Sequence, residues 1–408
     1  MKKIFGLALG ILTAIGGFLD IGDLVTNAVV GSRFGMSLAW VVVVGVGGIC
    51  LFAEMSGRVA AVSGRATFEI IRERLGARAA LANLAASFLI NLLTLTAEIG
   101  GLTIAMQLAT SVSRFLWIPV AGFAVWLVIW RVRFSIMENV TGLLGLTLIV
   151  FAVALFLLKP DWPQLAVQAI PHVPGSESPA AYWYFAVALF GAAMTPYEVF
   201  FFSSGAVEEH WTTKDLSQAR ANVLVGFPLG GILSLAIAGV AAVVLLPKQI
   251  DVTSLSQVVL PVALAGGKLA IAFVLVGIVA AVFGAALETT LSAGYTIAQF
   301  LGWPWGKFRS PAKASRFHVL MIVCLIVGMG VLFTGVDPVA VTEFSVVFSA
   351  IALPLTYLPI LIVANDPTYM GAKVNGKLLN GASMVYLVVI LVASLAAIPL
   401  MILSGAGQ

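Results

Sequence analysis

Long apolar runs alternate with short polar breaks along this chain, and the runs match the roughly 20 residues that a helix needs to cross a bilayer core. On that scale the sequence predicts eleven spanning helices, near 5–31, 36–57, 80–110, 114–130, 134–158, 181–204, 217–246, 255–302, 314–335, 339–363 and 379–403. The eighth run is long enough to hold an interfacial helix at its start. The short alternating segments of a transmembrane barrel are absent. The expected fold class is therefore an all-α membrane bundle. The polar stretches at 57–79, 159–180 and 205–216 are too short for a soluble domain, so residues 1–408 are expected to form one transmembrane unit.

Composition removes the soluble alternatives. The chain is 61% hydrophobic and only 10% charged, against about 25% charged in an ordinary soluble domain. A net charge of +4 does not point to nucleic acid, because the basic residues sit between apolar runs, where they set topology. With the N-terminus inside, only Arg33, Arg114, Lys159, Lys248 and Lys268 fall outside, and the other seventeen of the 22 Lys and Arg fall inside. That bias predicts a cytoplasmic N-terminus and an external C-terminus. Met-Lys-Lys followed by an apolar run also fits a signal peptide, but the run continues through Asp20 with no small-residue cleavage site. Cys50 and Cys324 both lie in apolar runs, which implies neither a disulfide framework nor a zinc site.

With no room for a soluble domain, any chemistry must lie in the helices. Asp20, Asp23, Glu98, Glu198 and Glu288 fall within apolar runs or at their edges, with no Lys or Arg at comparable depth. An intramembrane carboxylate costs about 2.5–3.5 kcal/mol on insertion scales and marks a functional site by default. Several acids without a basic partner call for a cation or for protons. Span one reads Gly16-Gly17-Phe18-Leu19-Asp20-Ile21-Gly22-Asp23, poor material for a continuous helix. Span six reads Gly191-Ala192-Ala193-Met194-Thr195-Pro196-Tyr197-Glu198, where Pro196 removes a backbone donor. Two interrupted helices five spans apart point to a transporter site between two repeats. The expected repeats are about 5–158 and 181–363, with an extra span at 379–403.

At these motifs the chain resembles the natural resistance-associated macrophage protein (NRAMP) family of divalent-metal transporters. Asp20-Ile21-Gly22-Asp23 stands where that family carries Asp-Pro-Gly-Asn, and Thr195-Pro196-Tyr197 where it carries Met-Pro-His. Ala97-Glu98-Ile99-Gly100, Ala285 to Thr290, and Ser345 to Pro354 resemble its third, eighth and tenth spans. The resemblance implies an eleven-span fold of the LeuT type with an inverted repeat and broken helices one and six. It maps the metal ligands onto Asp20, Asp23, Thr195 and the carbonyls of Gly17 and Ala192. Glu98, Tyr197, Glu198, Gly22 and Pro196 are expected along the pathway or around the ligands.

The departures from the family pattern carry the finer expectation. A thioether favours transition metals, so Thr195 in place of Met, with Asp23 in place of Asn, hardens the site and makes it more anionic. Mg²⁺ binds through one or two carboxylates and keeps several waters. These changes look like the prokaryotic NRAMP-related magnesium transporters, which implies a multi-pass protein of a prokaryotic plasma membrane. The expected function is Mg²⁺ uptake, with Mn²⁺ also carried. Met194 is read as packing; a one-residue slip in register would restore sulfur to the site.

Proton coupling is expected to be absent. The family's sixth-span His is Tyr197 here, and a phenol, with an ordinary pKa of about 10, carries protons poorly at neutral pH. The acid usually three residues before the third-span Glu is Leu95, and the tenth-span Gln is Val346. Glu98 remains either a proton site or a hydrogen bond to a neighbouring helix. Glu198 and Glu288 fit either a wet vestibule or a solvated edge. His172, His210 and His318 are read as loop or edge residues. The alternatives are a proton-coupled Mn²⁺/Fe²⁺ symporter of the same family and an amino-acid or cation symporter of the same fold. An intramembrane aspartyl protease fails because Asp20 occupies the first Gly of its Gly-x-Gly-Asp signature and no Tyr-Asp partner lies in a span. A receptor or structural bundle gives no reason for paired buried acids. Neither enzymatic activity, nor a cofactor, nor an obligate protein partner is expected; the partners are the lipid bilayer and a transported Mg²⁺ or Mn²⁺.

Overall fold

The computed structural model describes residues 18–307 and 309–405, and among these every regular element is helical. In chain order they are α1 (Ile21–Phe34), α2 (Ala39–Ser63), α3 (Thr67–Thr110), α4 (Arg114–Arg131), α5 (Phe134–Gly145), α6 (Ile149–Leu157) and α7 (Trp162–Gln168). There follow α8 (Pro179–Ala193), α9 (Pro196–Glu208), α10 (Leu216–Ala221), α11 (Phe227–Val244), α12 (Leu255–Leu301), α13 (Ser315–Phe333), α14 (Pro338–Ala364), α15 (Pro367–Met370) and α16 (Lys377–Ser404). A tight turn over Leu146–Leu148 joins α5 to α6, and a wide turn over Asn222–Gly226 joins α10 to α11, so each pair makes one span. Ten stretches among the described residues are long and apolar enough to cross a membrane. Of the expected first span, the part before Phe18 lies outside the described residues, and α1 supplies its second half.

Span boundaries follow the apolar pattern closely, and the differences have local causes. Two polar stretches carry short helices: 67–75 within 57–79, and α7 within 159–180. Gly76, at φ 81°, breaks α3 after that first short helix. Gly267, at φ 62°, breaks α12 and sets off the interfacial helix expected at its start. A side chain would oppose both conformations, which glycine adopts freely.

Burial decides which helices are central. In span six, formed by α8 and α9, 94% of the most apolar stretch is buried by protein, against 17% in α16, so span six threads the bundle while α16 faces lipid. α3 and α12 pack along one another, α14 lies on α3, α11 on α1, and α9 on α2. Lipid is as apolar as a leucine side chain, so these contacts rest on close packing by small residues. A Cβ on Gly31 would stand 2.2 Å from the Ala238 carbonyl oxygen, and one on Gly191 would stand 2.3 Å from that of Val346.

One face gathers the connections rich in basic residues. There Trp305 Nε1 donates to Glu69 Oε1 at 2.8 Å, Arg58 Nη2 to Asn375 Oδ1 at 2.5 Å, and Arg220 Nε to Glu54 Oε1 at 2.8 Å. Arg74 pairs with Asp366 on the same face. On the opposite face Arg33 grips Glu177 through two bonds of 2.7 and 2.8 Å. Gly31→Ala should lower stability by about 1–3 kcal/mol through overpacking against α11, whereas Gly330→Ala, with nothing within 4 Å of the new Cβ, should not. Thermal unfolding of the two variants in detergent checks this.

Candidate metal centre

Two helix breaks meet at the centre of the bundle. In span one Leu19 and Asp20 are non-helical, Asp20 with an extended backbone, before α1 begins at Ile21. Gly22 lies inside the first turn of α1. Its value is its size: a Cβ would stand 2.9 Å from Val346 Cγ1 and 3.0 Å from Asp20 Oδ1. In span six α8 ends at Ala193, Met194 and Thr195 are non-helical, and Pro196 opens α9. The N–H that would close on the Ala192 carbonyl belongs to position 196, where proline has none, so that oxygen is left without its helical donor.

The acids are held by donors rather than by bases. Asp20 caps α1: its Oδ1 accepts from Asp23 N at 2.7 Å, while its Oδ2 accepts from the Tyr197 hydroxyl at 3.2 Å. Asp23 Oδ1 accepts from Asn27 Nδ2 at 2.9 Å, and its Oδ2 from Ser234 Oγ at 2.5 Å. Glu98, on α3, accepts from Ile21 N at 3.3 Å and 3.4 Å through its two oxygens. Its carboxylate therefore caps the same helix start and pins it to α3, which is the hydrogen-bonding alternative for this residue. Thr195 Oγ1 donates to Glu198 Oε2 at 3.3 Å across the first turn of α9. Both half-helices thus present carboxylates to a positive N-terminal end.

Asp20, Asp23, Glu98, Glu198 and Glu288 are all buried. Neither Glu198 nor Glu288 is a solvated edge charge. Among the described residues no salt bridge reaches any of the five; Arg58, the buried arginine, is spent on Glu54. The sulfur of Met194 lies against Gly48 of α2, where a Cβ would be 2.5 Å from it, and the Met194 carbonyl accepts from Tyr357. Gly17 lies outside the described residues. Among the described residues no three His, Cys, Asp or Glu side chains converge to hold an ion; the arrangement is two carboxylates, a hydroxyl and an open carbonyl end.

Two contacts escaped the sequence. Asn27 stands four residues after Asp23, a spacing that puts both on one helix face and could have been read. Ser234 is the one hydroxyl of α11, and carries no pattern signal. Glu54, Glu138 and Glu343 also lie in spanning runs; Glu54 is used in ion pairs with Arg58 and Arg220, and the other two are half-buried.

Residues 10–399 match the model of the family described as natural resistance-associated macrophage protein-like. The chain belongs to this family. A divalent metal cation transporter of Pectobacterium carotovorum is 26% identical over 386 residues, covering 93% of this chain and 90% of that one. A relative of the same description from Deinococcus radiodurans is 25% identical, covering 88% and 82%. Among solved structures, the manganese transporter of Eremococcus coleocola superposes with a TM-score of 0.71 at 19% identity, covering 96% of this chain and 85% of that one. The nucleobase-cation-symport-1 family transporter Mhp1 in a closed conformation superposes at 0.61 and 16% identity, covering 96% and 91%. These likenesses place the all-helical bundle among LeuT-type folds.

Removing the Glu98 carboxylate leaves the start of α1 without its cap from α3. Glu98→Ala should therefore destabilise the protein by about 1–3 kcal/mol, the cost of leaving a buried group unpaired. Glu98→Gln keeps an acceptor oxygen and should lose less. Comparing the two thermal midpoints in detergent decides it.

Proposed function

We propose that this protein carries divalent cations across a prokaryotic plasma membrane, Mg²⁺ foremost and Mn²⁺ also, by alternating access without proton coupling. The observation that carries the reading is the pair Asp20 and Asp23. Their four carboxylate oxygens are each aimed by a donor, both residues are buried, Asp20 is joined to span six through Tyr197, and among the described residues no base pairs with them. Two anions in a dry interior are costly unless a cation joins them. The ligands would be Asp20, Asp23, the Thr195 hydroxyl and the Ala192 carbonyl, with the Gly17 carbonyl, from outside the described residues, completing the set.

Selectivity follows from the donor set. Oxygens alone suit Mg²⁺ and Mn²⁺, whereas a thioether would draw softer metals. Met194 is turned towards α2, and the short Thr195 side chain leaves room for retained waters. Val346 presents a methyl group to Gly22 in the first turn of α1, so it adds no side-chain ligand there. The proposed orientation puts the basic face in the cytoplasm. A divalent ion then gains about 4.6 kcal/mol on crossing 100 mV, twice the single-charge value, which drives uptake without protons. The second reading, a proton-coupled Mn²⁺ symporter, is supported by the manganese transporter among the structural likenesses and by Glu98 lying one hydrogen bond from the start of α1.

Proteoliposomes decide between the two. Mg²⁺ and Mn²⁺ should enter without acidifying the lumen, and Asp20→Ala or Asp23→Ala should reduce both fluxes to the level of empty liposomes; metal-driven lumenal acidification supports the symporter instead. The donor set is tested separately. Thr195→Met should tighten Cd²⁺ binding in calorimetry while weakening that of Mg²⁺, and an unchanged Cd²⁺ affinity means that another group faces the ion.

A further inference from the structure

We propose that Glu208 and Tyr295 form a latch that holds the second half of broken span six against α12, and that this latch must part for the ion to leave at the basic face. The inference rests on the transport reading above.

Glu208 is the last residue of α9, and its carboxylate is buried. The C-terminal end of a helix repels an anion, so other contacts must hold it there. Its Oε1 accepts from the Tyr295 hydroxyl at 2.9 Å and from the backbone N–H of Lys307. The loop comes in close because Gly306 adopts φ 120°, and a Cβ there would stand 3.2 Å from the same oxygen. Lys307 in turn reaches the Val128 and Val132 carbonyls at the end of α4. Trp305 ties the loop to Glu69 on the short helix 67–75. A single carboxylate thus fastens α9 to a loop anchored on two other helices.

Above the latch, α9 meets α12 through two more polar contacts. Gln299 Nε2 donates to Ser204 Oγ at 2.9 Å, and Ser292 Oγ donates to the Tyr197 carbonyl at 3.2 Å. Tyr197 is also the residue whose hydroxyl reaches Asp20. The seam therefore begins at the proposed ligands and ends at the basic face. Gln299 Oε1 and Asn91 Oδ1 are buried without a hydrogen-bond partner, and Asn91 bonds Ser292 through its amide at 3.4 Å. Buried unpaired acceptors are uncommon. Parting this seam would hydrate them, and water would replace the bonds that open.

The two sides of the seam differ in freedom. α9 is a 13-residue rod separated from α8 by the break at Met194 and Thr195. The part of α12 after Gly267 is a long helix packed along α3. Motion at the break moves α9 and leaves α12 in place, the arrangement that a hinge needs.

Thiol reporters test the latch without depending on which ion is carried. Thr296 is buried on α12 between Ser292 and Gln299, and its hydroxyl bonds only to carbonyls of its own helix. Thr296→Cys, in a background of Cys50→Ser and Cys324→Ala, reports on the basic face. Ser32→Cys, near the outer end of α1, reports on the other. Both are read by a charged, membrane-impermeant thiol reagent on the full-length protein in oriented vesicles. Tyr295→Phe keeps the ring stacked on Phe317 and removes one hydroxyl. It should speed labelling at 296 about fivefold, the equivalent of one hydrogen bond, and slow labelling at 32. Glu208→Gln should act in the same direction. Equal rises at both reporters would mean general loosening and would overturn the latch, as would unchanged rates in both variants. Loss of Mg²⁺ flux in the unsubstituted protein would count against the transport reading and leave this comparison intact.

Discussion

The 3.2 Å bond from the Tyr197 hydroxyl to Asp20 joins the two broken helices, and the centre of the bundle is arranged around it. Tyr197 is the second residue of α9, and Asp20 is the residue before α1, so one contact fixes the starts of two half-helices together. Pro196 ends the hydrogen-bond ladder of α8, and the extended Asp20 stands before the ladder of α1 begins. Backbone groups freed in this way are tolerated at membrane depth only where protein or a polar cavity satisfies them. The side chains of Asp20, Glu98 and Tyr357 meet part of that need at Asp23 N, Ile21 N and the Met194 carbonyl.

The same constraint explains why the acids need no bases to stay in place. Four of them are fastened by donors from a neighbouring turn or helix: Asp20 by Tyr197, Asp23 by Asn27 and Ser234, Glu198 by Thr195, Glu98 by the backbone of α1. These bonds orient the carboxylates but leave their charge uncompensated. An arginine or lysine in the same position would both hold and neutralise them, and would leave nothing for a cation to do. The ion pairs are placed elsewhere, at Arg58 with Glu54, Arg33 with Glu177 and Arg74 with Asp366. The separation of oriented anions in the interior from paired charges at the faces is a structural counterpart of cation transport.

Much of this was legible in the sequence because the membrane imposes a length and a polarity on every span. Hydropathy located ten spans among the described residues, most of their ends within a few residues, the Thr195-Pro196 step located one break, and Asp20 located the other. Gly22 is helical and small beside Asp20 Oδ1 and Val346, a fit that no sequence pattern announces. What could not be read were contacts between spans distant in sequence. Ser234 reaches Asp23 across 211 positions, and Ser292 reaches the Tyr197 carbonyl across 95. A single hydroxyl in an apolar helix has no period, so only packing shows which way it faces.

Packing also sets apart the two residues at the span-six break. Met194 and Thr195 are adjacent, yet the first turns its sulfur onto Gly48 and the second turns its hydroxyl to Glu198. The cause lies in α2: a glycine at 48 leaves a notch that a thioether fills, and Tyr386 of α16 flanks it with its ring. With sulfur drawn into that notch, the groups proposed to meet the ion are all oxygens: two carboxylates, a hydroxyl and a carbonyl without its helical donor. The hardness of the proposed centre therefore depends on a glycine in a different helix as much as on the residues at the break itself.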